Sequence, residues 1–315
     1  MKWKKLPEWN FLLVLVPALV PQVPDPASLT VLEPVYRQHV QRVEARMGPG
    51  HLEVANALTA LAAFLAHKGD APGAMEALRR AIEIRSSHPE DERLAADLES
   101  LATLDAPSAA QLLSRAVEIR QKGGKATPEL GIALTRLGDA LAGSGNQAEA
   151  LQRYRGSVDV FERAVAEGAV PAGDVRYALA LVNLGFALEQ EQQFAAAESC
   201  YRRALAIQEK GLGPTHPEVG VTLNNLAGVL GALGRLASAE QAYRRAMAVF
   251  EKALGPANPR LALCAANFAD MLAAQKRTAE ASALLKRAIG IYEELGDAHG
   301  AAQSREALAA LGGRR

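Results

Sequence analysis

The chain has 315 residues, with 35 basic and 35 acidic side chains and a formal net charge of zero. This balance argues against general nucleic-acid binding, which depends on net positive charge or a basic stripe to neutralise phosphates. Hydrophobic residues make up 49% of the chain and aromatic residues only 5%, and β-branched runs bounded by turn residues are missing, so we expect closely packed helices and essentially no sheet.

The first 27 residues have the layout of a secretory signal peptide. Three lysines within the first five residues precede an apolar run at 11–20, which is shorter than the roughly 20 residues of a membrane-spanning helix. Glu8, Pro17 and the lack of a clean small-residue cleavage site count against a signal peptide. The alternative is an apolar helix that packs on the first repeat. The pattern favours an exported or periplasmic protein slightly over a cytoplasmic one, and it predicts no integral membrane span.

A unit that recurs every 42 residues organises the rest of the chain. The sequence YRRA at 201–204 recurs 42 residues later at 243–246, and the linker at 212–220 recurs at the same spacing at 254–262. Self-similarity at a fixed period of this length indicates a solenoid of small stacked units. Residues 28–50 fit only the second half of this unit, so we expect them to form a terminal half-repeat that acts as a cap.

Two anchor positions place six helix hairpins within residues 51–295. The first helix of each hairpin carries a Leu or Phe, and the second carries an Ala followed four residues later by a large side chain. The first-helix anchors are Leu61, Leu101, Leu137, Leu184, Leu226 and Phe268. We expect the turn at 105–107 to shorten the first helix of the second hairpin by about one turn, because it contains Pro107. Residues 296–315 are predicted to form a capping helix and a frayed tail.

Proline marks the expected starts of four first helices, because its missing N–H would be unpaired at that position anyway. The four starts are His88-Pro89-Glu90, Thr127-Pro128-Glu129, His216-Pro217-Glu218 and Asn258-Pro259-Arg260. The two histidines are therefore predicted to cap helices, and the glycines of the chain are assigned to the turns between helices.

The two-helix unit, with its alternation of small and large residues, resembles the tetratricopeptide repeat. The motifs LGPTHPEV, LNNLA and EQAYRRAMAVFEKALG are similar to those of the 42-residue variant in kinesin light chains. The resemblance covers residues 48–295 well and 31–47 in part. It implies an all-α, right-handed α-solenoid of stacked antiparallel helix hairpins, whose first helices line a concave groove that binds partner peptides. Nothing resembles the coiled coil that joins a light chain to its motor, so motor attachment is not implied.

The resemblance also implies which residues face the groove. They lie one or two positions before each first-helix anchor, two after it, and five or six after it. The partner-binding residues predicted in this way are Asn183, Asn225, Asn267, Asn224, Phe186, Glu189, Asp139 and Asp270. The same positions include Thr59, His67, Glu99, Thr135, Val182 and Gln190.

Asn183, Asn225 and Asn267 form a ladder with a spacing of 42 residues. Their amides offer both a donor and an acceptor, so they suit the backbone of an extended peptide. The alternative is that each asparagine ties adjacent hairpins together. Both interpretations remain open at the level of sequence.

The expected groove carries Glu99, Asp139, Glu189 and Asp270 and no Lys or Arg. Charge complementarity then favours a neutral or basic partner segment, unless these acids are only solvated. The paired basic residues on second helices, such as Arg244-Arg245, could form a stripe for anionic partners. We instead expect a solvated face with pairs within each helix, because Glu76, Glu198 and Glu240 lie four residues before Arg80, Arg202 and Arg244.

The sequence contains no recognisable catalytic motif, phosphate-cradling loop or metal-ligand spacing. Cys200 and Cys264 are predicted to be buried small hydrophobic residues. We therefore expect a noncatalytic protein-interaction scaffold that needs no cofactor and has no small-molecule substrate. The alternatives are an assembly factor that oligomerises through the solenoid ends and an enzyme with an unrecognised site.

Overall fold

The computed structural model describes residues 26–88 and 91–312, which form helices and the turns between them without any strand. The all-α solenoid fold of tandem helix hairpins predicted from the sequence is confirmed. The expected signal peptide or apolar N-terminal helix lies outside the described residues, apart from its last two positions.

The described residues contain fourteen α-helices. They are α1 (Pro26–Met47), α2 (Leu52–Lys68), α3 (Ala71–Ser86), α4 (Arg93–Leu104), α5 (Ala109–Lys122), α6 (Pro128–Gly143), α7 (Gln147–Ala166), α8 (Val175–Gln190), α9 (Phe194–Leu212), α10 (Pro217–Ala232), α11 (Leu236–Leu254), α12 (Pro259–Ala274), α13 (Thr278–Glu294) and α14 (Ala298–Gly312). The roles of α1 and α14 as caps stay predictions.

The helices belong to two compact units. The first unit comprises residues up to 125 together with 136–146, and the second comprises 126–135 together with the residues from 147 onward. In the first unit, α1 to α4 each pack against the next helix in the chain. In the second unit, α7 to α13 do the same, and α10 also contacts α8 and α12. The first helices α8, α10 and α12 therefore lie side by side in the second unit.

The second hairpin has the predicted short first helix but begins later than expected. Helix α4 has 12 residues, because the chain leaves helical geometry at Asp105 and enters a short 3-10 turn. The predicted start at His88 was wrong, because α4 begins only at Arg93. The carboxylate of Asp91 accepts the backbone N–H of Arg93 at 3.0 Å, while the ring of His88 bonds to the carbonyl of Ile84 at 3.0 Å, at the end of α3.

The other three proline-marked starts are confirmed, and each has a side-chain cap. The Thr127 hydroxyl accepts the Leu130 N–H at 3.2 Å. Nδ1 of His216 accepts the Glu218 N–H at 3.2 Å. The amide oxygen of Asn258 accepts the Leu261 N–H at 2.8 Å. These bonds satisfy backbone donors that the first turn of a helix leaves unpaired.

A buried charge network holds three helices of the first unit together. Arg85 on α3 is only 1% exposed. Its guanidinium donates to Asp97 on α4 at 2.7 Å and to Asn56 on α2 at 2.8 Å, and it pairs with Asp91. Thr59 donates to the other oxygen of Asp97 at 2.9 Å. Burial raises the pKa of Asp97 despite these bonds. The charged form of Asp97 therefore depends on the bonds from Arg85 and Thr59.

The paired arginines of the second helices bind acids in two directions. The first arginine pairs within its own helix, as predicted, in Glu198–Arg202 and Glu240–Arg244. The prediction for Arg80 was wrong, since Arg80 binds Glu44 of α1 rather than Glu76.

The second arginine of each pair in the second unit reaches back to the previous second helix. Arg203 binds Glu162 at 2.5 Å, Arg245 binds Glu209, and Arg287 binds Glu251 at 2.7 Å. Each of these ion pairs is exposed and contributes little to stability alone. They connect α7, α9, α11 and α13 in series, so the repeated basic residues are part of the packing between repeats.

Several glycines lie inside helices, which corrects their assignment to turns. A methyl group added at Gly131, Gly185 or Gly220 would lie 2.6, 2.8 or 2.7 Å from an aromatic ring carbon of Phe161, Tyr201 or Phe250 respectively. Glycine lets these first helices approach the aromatic side chains of the following second helices more closely than any other residue would.

Both cysteines are buried, as predicted, and both are free thiols. Burial raises the pKa of the Cys264 thiol to about 12. Within the described part of the chain, no helix is long and apolar enough to cross a membrane. The same residues contain no group of three or more His, Cys, Asp or Glu side chains arranged to hold a metal ion.

Candidate functional site

The predicted partner-binding residues of the second unit lie on α8, α10 and α12. The anchors Leu184, Leu226 and Phe268 are buried in the core. The predicted residues precede their anchors by one or two positions or follow them by two or five, and a shared groove face remains a prediction for them. Asn183, Asn224, Asn225 and Asn267 are each half-buried, and Phe186 is 38% exposed.

The asparagine side chains bond to one another across two hairpins. The amide of Asn267 on α12 donates to the side-chain oxygen of Asn224 on α10 at 3.2 Å. The amide of Asn224 donates in turn to the side-chain oxygen of Asn225 at 3.2 Å. Asn267 therefore ties adjacent hairpins together. Each amide nitrogen has two N–H groups, so one such bond leaves hydrogen-bonding capacity for a partner.

Glu189 lies one turn beyond Phe186 on α8 and is half-buried. The hydroxyl of Tyr201 on α9 donates to its Oε2 atom at 3.1 Å. Burial raises the pKa of Glu189 to about 7, and the bond from Tyr201 offsets only part of this effect. The carboxyl group is therefore divided between its charged and neutral forms near neutral pH.

The other oxygen of Glu189 faces a glycine on the neighbouring first helix. A methyl group on Gly228 of α10 would lie 3.8 Å from Oε1 of Glu189 and 3.7 Å from the hydroxyl of Tyr243 on α11. Since glycine has no side chain, a small hollow separates the carboxyl group from the hydroxyl. Tyr243 is only 4% exposed, and its ring stacks on that of Phe268 with centroids 5.3 Å apart.

Asp270 on α12 is the second acid of this face. Its side chain is exposed, yet partial desolvation by its neighbours raises its pKa. Burial raises the pKa of Tyr243 above its ordinary range, and the charges of Cys264, Glu189 and Asp270 add to this rise. Glu189 and Asp270 therefore both act electrostatically on the same hydroxyl. Gly228 and Tyr243 were missed at the level of sequence, although Gly228 occupies the position two residues after the Leu226 anchor.

Two residues predicted to face the groove are buried in the core instead. Glu99 is buried and accepts a bond from Arg120 on α5 at 2.6 Å, so its charge is neutralised within the protein. Thr135 is buried and bonds to the Ser157 hydroxyl at 2.8 Å. The prediction that these two side chains face a partner was therefore wrong, because both positions are covered by a second helix.

The four predicted acids are divided between the two units. Glu99 and the exposed Asp139 belong to the first unit, and Glu189 and Asp270 belong to the second.

Comparison with protein families identifies the repeats. Residues 176–252 and 220–294 match one tetratricopeptide repeat model, and residues 54–88 match another. No curated protein sequence matches the chain.

Solved structures with the same fold are distant in sequence. BtubC (BKLC) from P. vanneervenii is 19% identical, with a TM-score of 0.54, and the alignment covers 87% of this chain and 92% of that one. The apo form of RapI is 14% identical, with a TM-score of 0.61 and coverages of 91% and 82%.

A third similar structure is a Signal Transduction ATPase with Numerous Domains protein with a tetratricopeptide repeat sensor, from Pyrococcus horikoshii. It is 15% identical, with a TM-score of 0.64, and the alignment covers 87% of this chain and 43% of that one. At these identities the similarities establish the fold alone. The model matches show tetratricopeptide repeats at residues 54–88 and 176–294, and the 42-residue spacing of hairpins four to six resembles that of kinesin light chain repeats.

Proposed function

We propose that the protein is a noncatalytic interaction scaffold that binds an extended peptide or a helix of a partner protein on the face formed by α8, α10 and α12. Tetratricopeptide repeats present extended surfaces built from repeated hairpins, and such surfaces suit protein partners better than small substrates. Neither a fold nor a family match names a function by itself, so the proposal depends on the side chains of this face.

The main support for this proposal is the row of half-buried amides from Asn267 through Asn224 to Asn225. The bonds between these side chains fix their orientation before a partner arrives, which lowers the entropic cost of binding. Their remaining donors and acceptors match the backbone of an extended segment. The exposed ring of Phe186 adds an apolar contact on the adjacent helix, so the face combines polar and apolar contacts as interaction surfaces do.

The charge of this face favours a neutral or basic partner. Among the described residues, Glu189 and Asp270 form no ion pair, whereas the acids of the second helices are bound by arginines. An acidic partner segment would add like charge next to acids that already lack a cation, which is unfavourable.

Selection from a phage-displayed library of random peptides, with the full chain as bait, tests this proposal. Synthetic versions of the selected peptides should bind the wild-type protein in fluorescence polarisation. The triple variant Asn183→Ala, Asn225→Ala and Asn267→Ala should bind them about tenfold more weakly or worse, since two or more hydrogen bonds are lost.

The matched control replaces three exposed polar residues of second helices, Gln152→Ala, Ser199→Ala and Gln241→Ala, and should bind like the wild type. Equal affinity of the asparagine variant and the wild type would contradict the proposed site. Light scattering on both variants separates a loss of binding from a change in oligomeric state.

A further inference from the structure

We propose that the hollow between Glu189, Gly228 and Tyr243 binds one cationic side chain of the partner, the ammonium group of a lysine or the guanidinium group of an arginine. This inference rests on the proposed function, because the cation belongs to the bound peptide. It adds a defined subsite and a defined ligand chemistry to a surface that otherwise recognises backbone and apolar groups.

The hollow is built by residues from three helices of the second unit. Glu189 comes from α8, Gly228 from α10 and Tyr243 from α11, and Asp270 on α12 adds its charge to the surroundings of the Tyr243 hydroxyl. An added methyl group at Gly228 would touch Oε1 of Glu189 and the Tyr243 hydroxyl at 3.8 and 3.7 Å. A group placed over Gly228 would therefore contact both oxygens at once, and the lack of a side chain on Gly228 provides the space.

The polar groups of the hollow have unused bonding capacity. The Tyr243 side chain is only 4% exposed. Among the described residues, its hydroxyl forms no hydrogen bond. Oε2 of Glu189 accepts the bond from Tyr201, while Oε1 faces the hollow. A donor placed in the hollow would bond to both oxygens.

A cation is the donor that this site favours. In the described part of the chain, no Lys or Arg forms an ion pair with Glu189 or Asp270. A charged N–H donor forms shorter and stronger bonds to a carboxylate than a neutral donor does, and an anion would be repelled by both acids. The desolvated carboxyl of Glu189 also gains more from a nearby cation than a solvated one would.

Binding of a cation should release the proton of Glu189. The pKa of this group is about 7 in the free protein because of burial, and a cation in contact with it favours the charged form. The other titratable groups beside it are Tyr201 and Tyr243. The two tyrosines stay neutral below pH 8, since burial raises both of their pKa values, so Glu189 dominates the effect.

The test uses peptides selected from the random library and two protein variants. Glu189→Gln removes the charge and keeps the shape of the side chain. Gly228→Ala fills the hollow with a methyl group at ordinary contact distances and favours the helix, so neither change should prevent folding. The controls are Glu191→Gln, an exposed acid at the end of α8, and Gly290→Ala, where an added methyl group meets nothing within 4 Å.

We expect selected peptides to share a Lys or Arg at one position. Replacing it with norleucine or citrulline should weaken binding to the wild type about tenfold, as for the loss of one charge-assisted bond. The same replacement should have little effect in Glu189→Gln and Gly228→Ala and its full effect in both controls.

The outcomes separate the two proposals. Peptides whose binding depends on the asparagine ladder but not on a cationic residue would overturn the cation subsite and leave the scaffold proposal intact. An equal effect of the neutral replacement in the wild type and in Glu189→Gln would also overturn it. Failure to select any peptide that requires the asparagines would overturn both.

Discussion

The hydroxyl of Tyr201 donates to the carboxyl group of Glu189 across 3.1 Å, from the second helix of a hairpin to the first. Tyr201 is fully buried, so it fixes the position of Glu189 at the edge of the core. The bond offsets only part of the hydration that the carboxylate loses on burial, so the pKa of Glu189 is about 7. A change in the charge of Glu189 should therefore change the stability of this hairpin.

Glu189 should make the protein less stable as pH rises. Its pKa is about 7 in the folded state against an ordinary value of 4.5, so the folded state holds the proton more tightly than the unfolded state between these two values. The free energy of unfolding therefore falls as pH rises through this range, by up to about 3 kcal/mol, and is constant above it. Glu189→Gln should remove this loss.

Urea unfolding followed by circular dichroism at pH 5 and pH 8 measures this effect. The stability advantage of Glu189→Gln over the wild type should be larger at pH 8 than at pH 5. The raised pKa of Asp270 acts in the same direction but is present in both proteins and cancels in the comparison. A pH-independent difference between the two proteins would show that Glu189 does not titrate in this range.

Arg85 should be a major determinant of stability in the first unit. Arg85→Met would leave Asp97 buried without its guanidinium partner, at a cost of about 3–5 kcal/mol. The control Arg79→Met lies on the same helix and removes an ion pair with Asp105 whose arginine side chain is 60% exposed, so it should cost less than about 1 kcal/mol.

Hydrogen exchange of α2, α3 and α4 provides the local measurement for the Arg85 variant. Protection should fall in these helices in Arg85→Met and stay close to that of the wild type in Arg79→Met. The double variant Arg85→Met, Asp97→Leu should recover part of the loss, because it removes the unpaired charge. No recovery would indicate that packing rather than charge accounts for the loss.

The 42-residue spacing was enough to predict the fold, because the fold depends on periodic small and large residues. It was not enough to predict which polar side chains of the first helices form bonds within the protein. Glu99 has the same relation to an anchor as other predicted residues, but Arg120 from the next helix binds it. Such pairing depends on side chains far apart in sequence, which a local pattern does not contain.

The sequence did not predict the hollow, because the space in it comes from a residue that has no side chain. Gly228 lies at a predicted groove position and was not singled out, since glycine offers no functional group. Tyr243 was read only as the large packing residue of a second helix. Its ring does pack, on Phe268, and its hydroxyl lies beside Gly228 on the first helix of the same hairpin.

The glycines inside first helices should be sensitive to the smallest possible enlargement. In Gly220→Ala, the added methyl group would lie 2.7 Å from the ring of Phe250, so α10 and α11 would have to move apart. We expect a loss of about 1–3 kcal/mol, typical of overpacked cores. Gly290→Ala meets open space and should stabilise the protein by up to about 1 kcal/mol through helix propensity. Thermal unfolding of the two variants should give shifts of opposite sign, and a shared direction would contradict the close-packing role of Gly220.

The turns between the helices of the last three hairpins provide a matched test of backbone strain. Residues 192, 234 and 276 occupy equivalent positions, and all have positive φ, with Gln192 at 58°, Gly234 at 75° and Lys276 at 61°. Positive φ costs a residue with a side chain about 1–2 kcal/mol relative to right-handed geometry, and glycine avoids most of this cost. Gly234→Ala should therefore destabilise the protein by about 1 kcal/mol. Lys276→Gly should stabilise it by a smaller amount, because the flexible unfolded chain of the glycine variant offsets part of the gain.

Chemical unfolding of Gly234→Ala, Gln192→Gly and Lys276→Gly under one condition measures these differences. Lys276 and Gln192 are both exposed, so replacing them removes little packing and isolates the backbone term. The two glycine substitutions should raise the denaturation midpoint and the alanine substitution should lower it. A lower midpoint for both glycine variants would contradict this prediction. It would mean that the extra conformational entropy of glycine in the unfolded chain outweighs the strain that glycine relieves in the folded turn.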